Sequence, residues 1–361
     1  MPPNDIAQPA PLVYPCGDAP AVGQTKQVAD GVWWLRMQLP FALDHINLWA
    51  LRDGDGWTLV DTGIWSTETA DAWRQLFAGV LQGPVHRVIV THMHPDHIGM
   101  AGWLTRKFDC RLWISRQEYL SCRTLVTDTG REAPDDAIAF YRRAGYCDEA
   151  IETYRTRFGH FGKMIYSVPD SYRRLMDREE ITIGAHRWRV VIGTGHSPEH
   201  ASLYCPQLKV LISGDQVLPR ISSNVSVHPI EPDANPLADW IASLDTMEQA
   251  VPDDVLVLPA HNEPFRGLHA RLDALRGSAH RGLERLRERL AQRPQRVVDV
   301  FDALFGRPIA QDKPQLLGLA AGEGVAHLNY LVARGEVVAT QGGDGCTWYQ
   351  LAQGGADRAA A

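Results

Sequence analysis

The stretch "RVIVTHMHPDHIGMAG", Arg87 to Gly102, places His92, His94, Asp96 and His97 within six residues, directly after a short β-branched run. No other feature limits the fold as much. Four ligand-type side chains at this spacing are poor core packing; they need a strand to deliver them and a partner to hold. "RVIV" reads as a buried strand by its length and branched residues. His92 and His94, two apart, can both turn toward one ion from a loop, whereas Asp96 and His97 lie half a turn further on and face a neighbouring position. Imidazole and carboxylate suit Zn2+, and Fe or Mn as well.

Further ligand candidates recur at the ends of apolar runs. His196 follows "VVIGTG", Asp215 ends "KVLISGD" and His261 ends "DVLVLPAH". A single polar residue at such a place is ordinarily a satisfied loop residue. Three of them, added to the first motif, point to a metal centre assembled from strand ends. The other histidines have no comparable positional claim. His228 and Asn224, in the loop after Asp215, are expected to border a substrate, and His200 is read as structural.

The 361 residues exceed one ordinary domain. From Gly31 the pattern is strand-like, with a "DGDG" hairpin turn, and a Ser/Thr cap then opens the helix "STETADAWRQLFAGVL". A second helix starts at Asn235, with Pro236 in its first position. Residues 25–270 form the expected main domain. Within it 116–175 is a helical, aromatic and Arg-containing insertion, a lid or an extra layer. An Arg-rich connecting helix spans 271–294. Residues 295–352 read as a winged-helix-like unit, a helix followed by the hairpin "EVVAT…TWYQL".

A net charge of −7 argues against a chain that coats nucleic acid. The N-terminus lacks a leader pattern, and no apolar run approaches the ~20 residues that span a bilayer. Six scattered cysteines without a C-x-x-C pair fit reduced thiols, so a cytoplasmic location is expected.

T-H-x-H-x-D-H, followed in order by Gly-His, S-G-D and P-A-H, resembles the metallo-β-lactamase-fold hydrolase superfamily over about residues 25 to 270. The resemblance implies an α/β fold, an αββα sandwich of two sheets faced by helices. It implies that His92, His94 and His196 hold one metal, that Asp96, His97 and His261 hold a second, and that Asp215 bridges both. Asp61 in "VDTG" would support the metal loop. The C-terminal segment is similar to the beta-lactamase-like protein 2 and glyoxalase II-like branch, from which this chain departs by its long insertion.

Two divalent ions, zinc first and Fe or Mn next, would acidify a shared water enough to supply hydroxide at neutral pH. Asp96, beside that water, is the expected proton acceptor and catalytic residue. Asp rather than Cys at position 215 argues against an antibiotic-degrading enzyme, and His at 94 rather than Glu against a di-iron oxidoreductase. "DTG" also marks aspartic proteases, but these need two such loops. The expected substrate is a thioester or related acyl ester of a small metabolite, such as hydroxyacylglutathione or an acyl-CoA. Alternatives are a metal-dependent endoribonuclease, a lactonase and a mononuclear-iron persulfide dioxygenase. The stretch from Arg266 to Arg296 holds nine arginines against three acids, enough to contact phosphates unless Glu284 and Glu288 pair with them. The winged-helix-like segment is poor in Lys and Arg, so a structural or homo-oligomeric role is expected of it.

Overall fold

The computed structural model describes residues 12–41 and 43–352. Strands β1 (Thr25–Ala29), β2 (Val32–Gln38), β3 (His45–Asp53), β4 (Gly56–Val60), β5 (Val85–Ile89), β6 (Arg111–Ile114) and β7 (Arg173–Arg174) lie in that order in one sheet. The pairings are antiparallel through β4 and parallel from β4 to β7. A second sheet has the order β12-β11-β10-β9-β8, from β8 (Glu180–Ile183), β9 (His186–Gly193), β10 (His200–Cys205), β11 (Val210–Gly214) and β12 (Leu256–Pro259). Its β11–β12 step is parallel, because α7 (Pro236–Ala250) crosses between them.

Strand alternation sorts the core into layers. Trp34, Trp49 and Ile89 from the first sheet meet Trp188, Leu203 and Ile212 from the second, and this cluster is the seam between the sheets. On the outer face of the first sheet, Leu35, Leu48 and Leu59 pack against α1 (Thr67–Ala78), α3 (Ala101–Phe108) and α4 (Arg116–Thr127). On the outer face of the second, Val191, Leu211 and Val257 pack against α7 and the 25-residue α8 (Leu268–Gln292). Four layers result, helix–sheet–sheet–helix. Both sheets are covered on both faces, which is why their strands read as runs of apolar residues. Local signals match: Gly54 takes a positive φ in the β3–β4 turn, the Ser66 side chain accepts from Thr69 N to cap α1, and Asn235 caps α7.

Between β6 and β7 lie α4, α5 (Asp135–Ala144) and α6 (Asp148–Arg157). Phe140, Ala144 and Ala150 join the core shared with α8, while Tyr141 packs against Tyr146 and Tyr154. These aromatics form a packing layer; they do not stand free over a cleft. The C-terminal segment consists of α9 (Phe301–Phe305), α10 (Pro314–Ala333) and the hairpin β13 (Val337–Gln341)–β14 (Thr347–Leu351). α10 is long and apolar enough to cross a membrane by length and composition, which differs from the reading of the bare sequence. More than half of it is buried inside the protein, with Leu317, Val325, Leu328 and Leu331 in the core.

Candidate metal centre

β5 runs through the middle of the first sheet and releases the chain at Thr91. His94 then takes an extended conformation as the cap of the one-turn α2 (Pro95–Ile98), whose first position is Pro95. Asp96 and His97 therefore sit in a helical first turn while His92 and His94 remain in the loop. Gly99 is required here: a Cβ would stand 2.6 Å from Trp65 N and 2.7 Å from Gly63 O.

The structure brings the seven expected ligand residues together in two groups, one of His92, His94, His196 and Asp215, the other of Asp96, His97 and His261. In the first, His92 Nε2 lies 2.9 Å from His94 Nδ1 and 3.3 Å from His196 Nε2, and Asp215 Oδ2 lies 3.4 Å from His196 Nε2. In the second, Asp96 Oδ2 lies 3.7 Å from His97 Nε2 and 3.5 Å from His261 Nε2. Asp215 Oδ1 turns to this second group, 3.6 Å from His97 Nε2 and 3.3 Å from His261 Nε2. One carboxylate thus spans both.

These residues fit divalent ions. Ligands at about 2.1 Å around a tetrahedral ion are about 3.4 Å apart, close to the spacings found. His97 Nε2 and Asp215 Oδ1 are buried without a hydrogen-bond partner, which a folded protein tolerates at few places. The cluster is a divalent-metal site.

Three of the five rings are aimed from behind. His97 Nδ1 donates to Asp61 Oδ2 (2.8 Å), His196 Nδ1 to Asn224 O (2.7 Å) and His261 Nδ1 to His45 O (2.8 Å). These bonds put the proton on Nδ1 and leave Nε2 free as a ligand. Asp61, at φ 60°, also accepts from Thr91 N at 2.8 Å, so it ties β4 to the start of the metal loop. The Ser-Gly-Asp motif has a comparable reason. Gly214, at φ 51°, lets His200 approach so closely that a Cβ would lie 2.4 Å from its Nε2, and this nitrogen accepts from Asp215 N at 3.1 Å.

Burial, and then the neighbouring imidazoles, hold His92 well below the usual histidine range and His94 at about 3, so both are neutral ligands. Burial pushes His97 and His261 the same way, but carboxylates overrule it. Asp61, Asp96 and Asp215 hold His97 well above the usual range, and Asp215 and Asp96 bring His261 up to about 10. In return, and against their own burial, Asp215 is held well below the carboxylate range by His261 and His97, and Asp96 is lowered by the same pair. The second group carries charge that a cation would replace.

Asn224 and His228, the residues expected to border a substrate, lie on the loop after Asp215 and outside the two ligand groups. The Asn224 side chain turns away from the centre to Glu323 (2.9 Å), and only its carbonyl serves the cluster. His228 is exposed in the same loop and belongs to neither ligand group. Sequence reasoning missed Glu118. This buried carboxylate at the start of α4 accepts from Met93 N (2.8 Å), between the first two histidines, and from Glu199 N (2.7 Å), three residues after His196. A lone acid in a helix carries no signal of that clamp.

The arginines of α8 are largely engaged within the protein. Arg271 donates to the carbonyls of Leu218 and Ile221, Arg276 pairs with Asp245 and Glu248, Arg285 donates to Ala303 O and Leu304 O, Arg287 pairs with Glu336 and Arg289 with Asp302. The expected pairing with Glu284 and Glu288 is replaced by acids from other elements.

Comparison with known proteins agrees with this geometry. The model described as "Metallo-beta-lactamase superfamily" matches residues 42–261, and that described as "Metallo-beta-lactamase-like, C-terminal domain" matches 283–352. The chain is 26% identical over 309 residues to "Probable metallo-hydrolase YqjP" of Bacillus subtilis, covering 83% of this chain and 91% of that one. It is 26% identical over 227 residues to the "Linear primary-alkylsulfatase" of a Pseudomonas species, covering 59% of this chain and 40% of that protein. Among solved structures, a beta-lactamase domain protein from Burkholderia ambifaria has a TM-score of 0.86 at 42% identity, covering 94% of this chain and 98% of that one.

Proposed function

The chain belongs to the metallo-β-lactamase superfamily and is a metal-dependent hydrolase, and from that premise we propose that it cleaves a thioester or related acyl ester of a small metabolite, with zinc in both positions. The observation that supports two metal positions is Asp215, whose two oxygens face the two ligand groups separately. Bound divalent ions supply Lewis acidity and an acidified water at neutral pH.

The chain's own residues do the rest. Asp96 is the more exposed carboxylate of the cluster, 18% against 11% for Asp215, and it is placed to accept a proton from the attacking water. His45 and Asn224, through their carbonyls, keep the His261 and His196 rings from turning. A groove of about 510 Å3 runs beside His45, lined by Val22, Arg36, Gln38, Leu39 and Asp44 among others. The apolar part of this lining suits an acyl chain. Engagement of the α8 arginines inside the protein favours the acyl reading over a nuclease.

The test is zinc-loaded protein assayed on an acyl thioester, a lactone, a linear alkyl sulfate and single-stranded RNA. Turnover of the thioester, reduced about 10^2- to 10^4-fold in Asp96→Asn, is the expected result. Preference for the sulfate ester or the RNA, with no thioester turnover, would overturn the acyl reading and leave the hydrolase in place.

A further inference from the structure

The loop from Asp215 to Asn235 is pinned along its outer side by α10. Val227 N donates to Gly322 O (3.0 Å), Asn329 Nδ2 donates to the carbonyls of Pro232 (3.0 Å) and Ala234 (2.9 Å), and Asn224 Nδ2 donates to Glu323 Oε2 (2.9 Å). Gly322 makes the approach feasible, since a Cβ there would meet that of Ser226 at 2.6 Å. The Asn224 amide is held at both ends, because its Oδ1 accepts from Ser226 Oγ. On the inner side, the Asn224 carbonyl receives the Nδ1–H of His196 at 2.7 Å.

Glu323 is therefore two hydrogen bonds from the Nδ1 of a ring whose Nε2 faces Asp215, although it belongs to the C-terminal segment. We infer that Glu323 is a positioning residue for the metal centre, acting through Asn224 on His196, so that α10 is a working part of that centre. The physical reason is the acceptor on Nδ1, which fixes both the tautomer and the plane of the ring. With the carboxylate removed, the Asn224 side chain keeps only its bond from Ser226 Oγ and a long one to Leu319 O (3.4 Å), its carbonyl is held less firmly, and the His196 Nε2 lone pair no longer points at a fixed place. The inference rests on the metal-centre reading but not on any choice of substrate.

The experiment uses the full chain and compares the parent with Glu323→Ala, Glu323→Gln and Glu323→Asp. Zinc affinity is measured by chelator competition, the visible spectrum is recorded after cobalt substitution, and the thermal midpoint of the metal-free form is followed alongside. In Glu323→Ala, one of the two zinc ions should bind about 10- to 100-fold more weakly, with an altered cobalt spectrum. Glu323→Gln keeps an acceptor for the Asn224 amide and should restore both. The double variant with Asn224→Ala should lose no more than the larger single loss, because both changes break one bond. If Glu323→Ala is unstable, Glu323→Asp, which keeps the charge and shortens the reach, should show the same loss. Unchanged affinity and an unchanged spectrum in the Ala or Asp variant would overturn the inference and leave Glu323 as a docking contact for α10. A parent protein that binds no metal would overturn the metal-centre reading itself, a distinguishable failure.

Discussion

Asp61 Oδ2 lies 2.8 Å from His97 Nδ1, and both side chains are shut off from solvent. Asp61 holds this position at φ 60°, in the left-handed region that Asp and Asn tolerate better than most residues. Asp61→Asn should keep the backbone and lose the charge. It should weaken one zinc ion about 10- to 100-fold, as read by chelator competition, with little change in the far-ultraviolet circular dichroism. Asp61→Ala should also cost about 3–5 kcal/mol of stability in denaturant titrations of the metal-free protein, since it breaks a buried charged pair.

Glu118 clamps two metal loops through the amides of Met93 and Glu199. Replacement by Ala leaves two buried N–H groups unpaired, at about 1–3 kcal/mol each. Urea denaturation of the metal-free Glu118→Ala variant should show a loss of about 2–6 kcal/mol on that basis, and zinc affinity should fall with it. A loss under about 0.5 kcal/mol, the ordinary range for surface changes, would mean that the loops hold their spacing unaided.

Burial raises the Glu323 carboxyl to about 7, against the hydrogen bond from Asn224. The folded value lies above that of the unfolded chain, about 4.3, so the folded state binds the extra proton between the two. Stability from this group is full below the unfolded value and is lost as pH rises through about 7. The loss amounts to about 2–3 kcal/mol for a partly buried group with this shift. His327 and Arg285, which line a cavity together with Glu323, are unchanged in Glu323→Gln and cancel in the comparison. Metal-free parent should lose about 2–3 kcal/mol relative to Glu323→Gln between pH 4 and pH 8.5 in urea titrations. Parallel pH profiles would refute the assignment.

Val22 lies on the wall of the groove beside His45 and is not part of the metal cluster. Val22→Trp should occupy that space and raise KM for a long-chain acyl thioester about tenfold, with kcat and zinc content unchanged. Equal KM values in variant and parent would place the acyl chain elsewhere.

The ligands were legible because each ends an apolar strand, and the metal motif itself compresses four of them into six positions. A metal needs donors at fixed places, and strand ends deliver them in a pattern that sequence records. The supports left no such trace. Glu118 and Glu323 bond to a backbone amide or an asparagine brought from distant positions, and His200 meets the amide of Asp215 only because two strands pair. Periodicity describes the face of one element and says nothing of what another presses onto it. The aromatics of α5 and α6 are ambiguous for the same reason, since a lid and a packed layer share one composition. The arginine count of α8 suggested phosphate contacts or pairing within the helix. Apart from Asp273, which meets Arg276 within the helix, the acids that meet these arginines, among them Asp245, Asp302 and Glu336, lie on other elements.

The donors divide by position along the chain. His92, His94, Asp96 and His97 follow a strand of the first sheet, while His196, Asp215 and His261 follow strands of the second. Neither half owns a complete set, and the two sheets otherwise meet through an apolar seam with a few hydrogen bonds beside it, such as that from Asn47 Nδ2 to Pro259 O at 2.9 Å. A bound ion is therefore a rivet between the halves, and its binding energy opposes their separation by mass action. Loss of the ion should loosen the halves from each other before it loosens either one. A chain caught half-folded holds too few donors to hydrolyse anything, so reactivity arrives only with complete assembly.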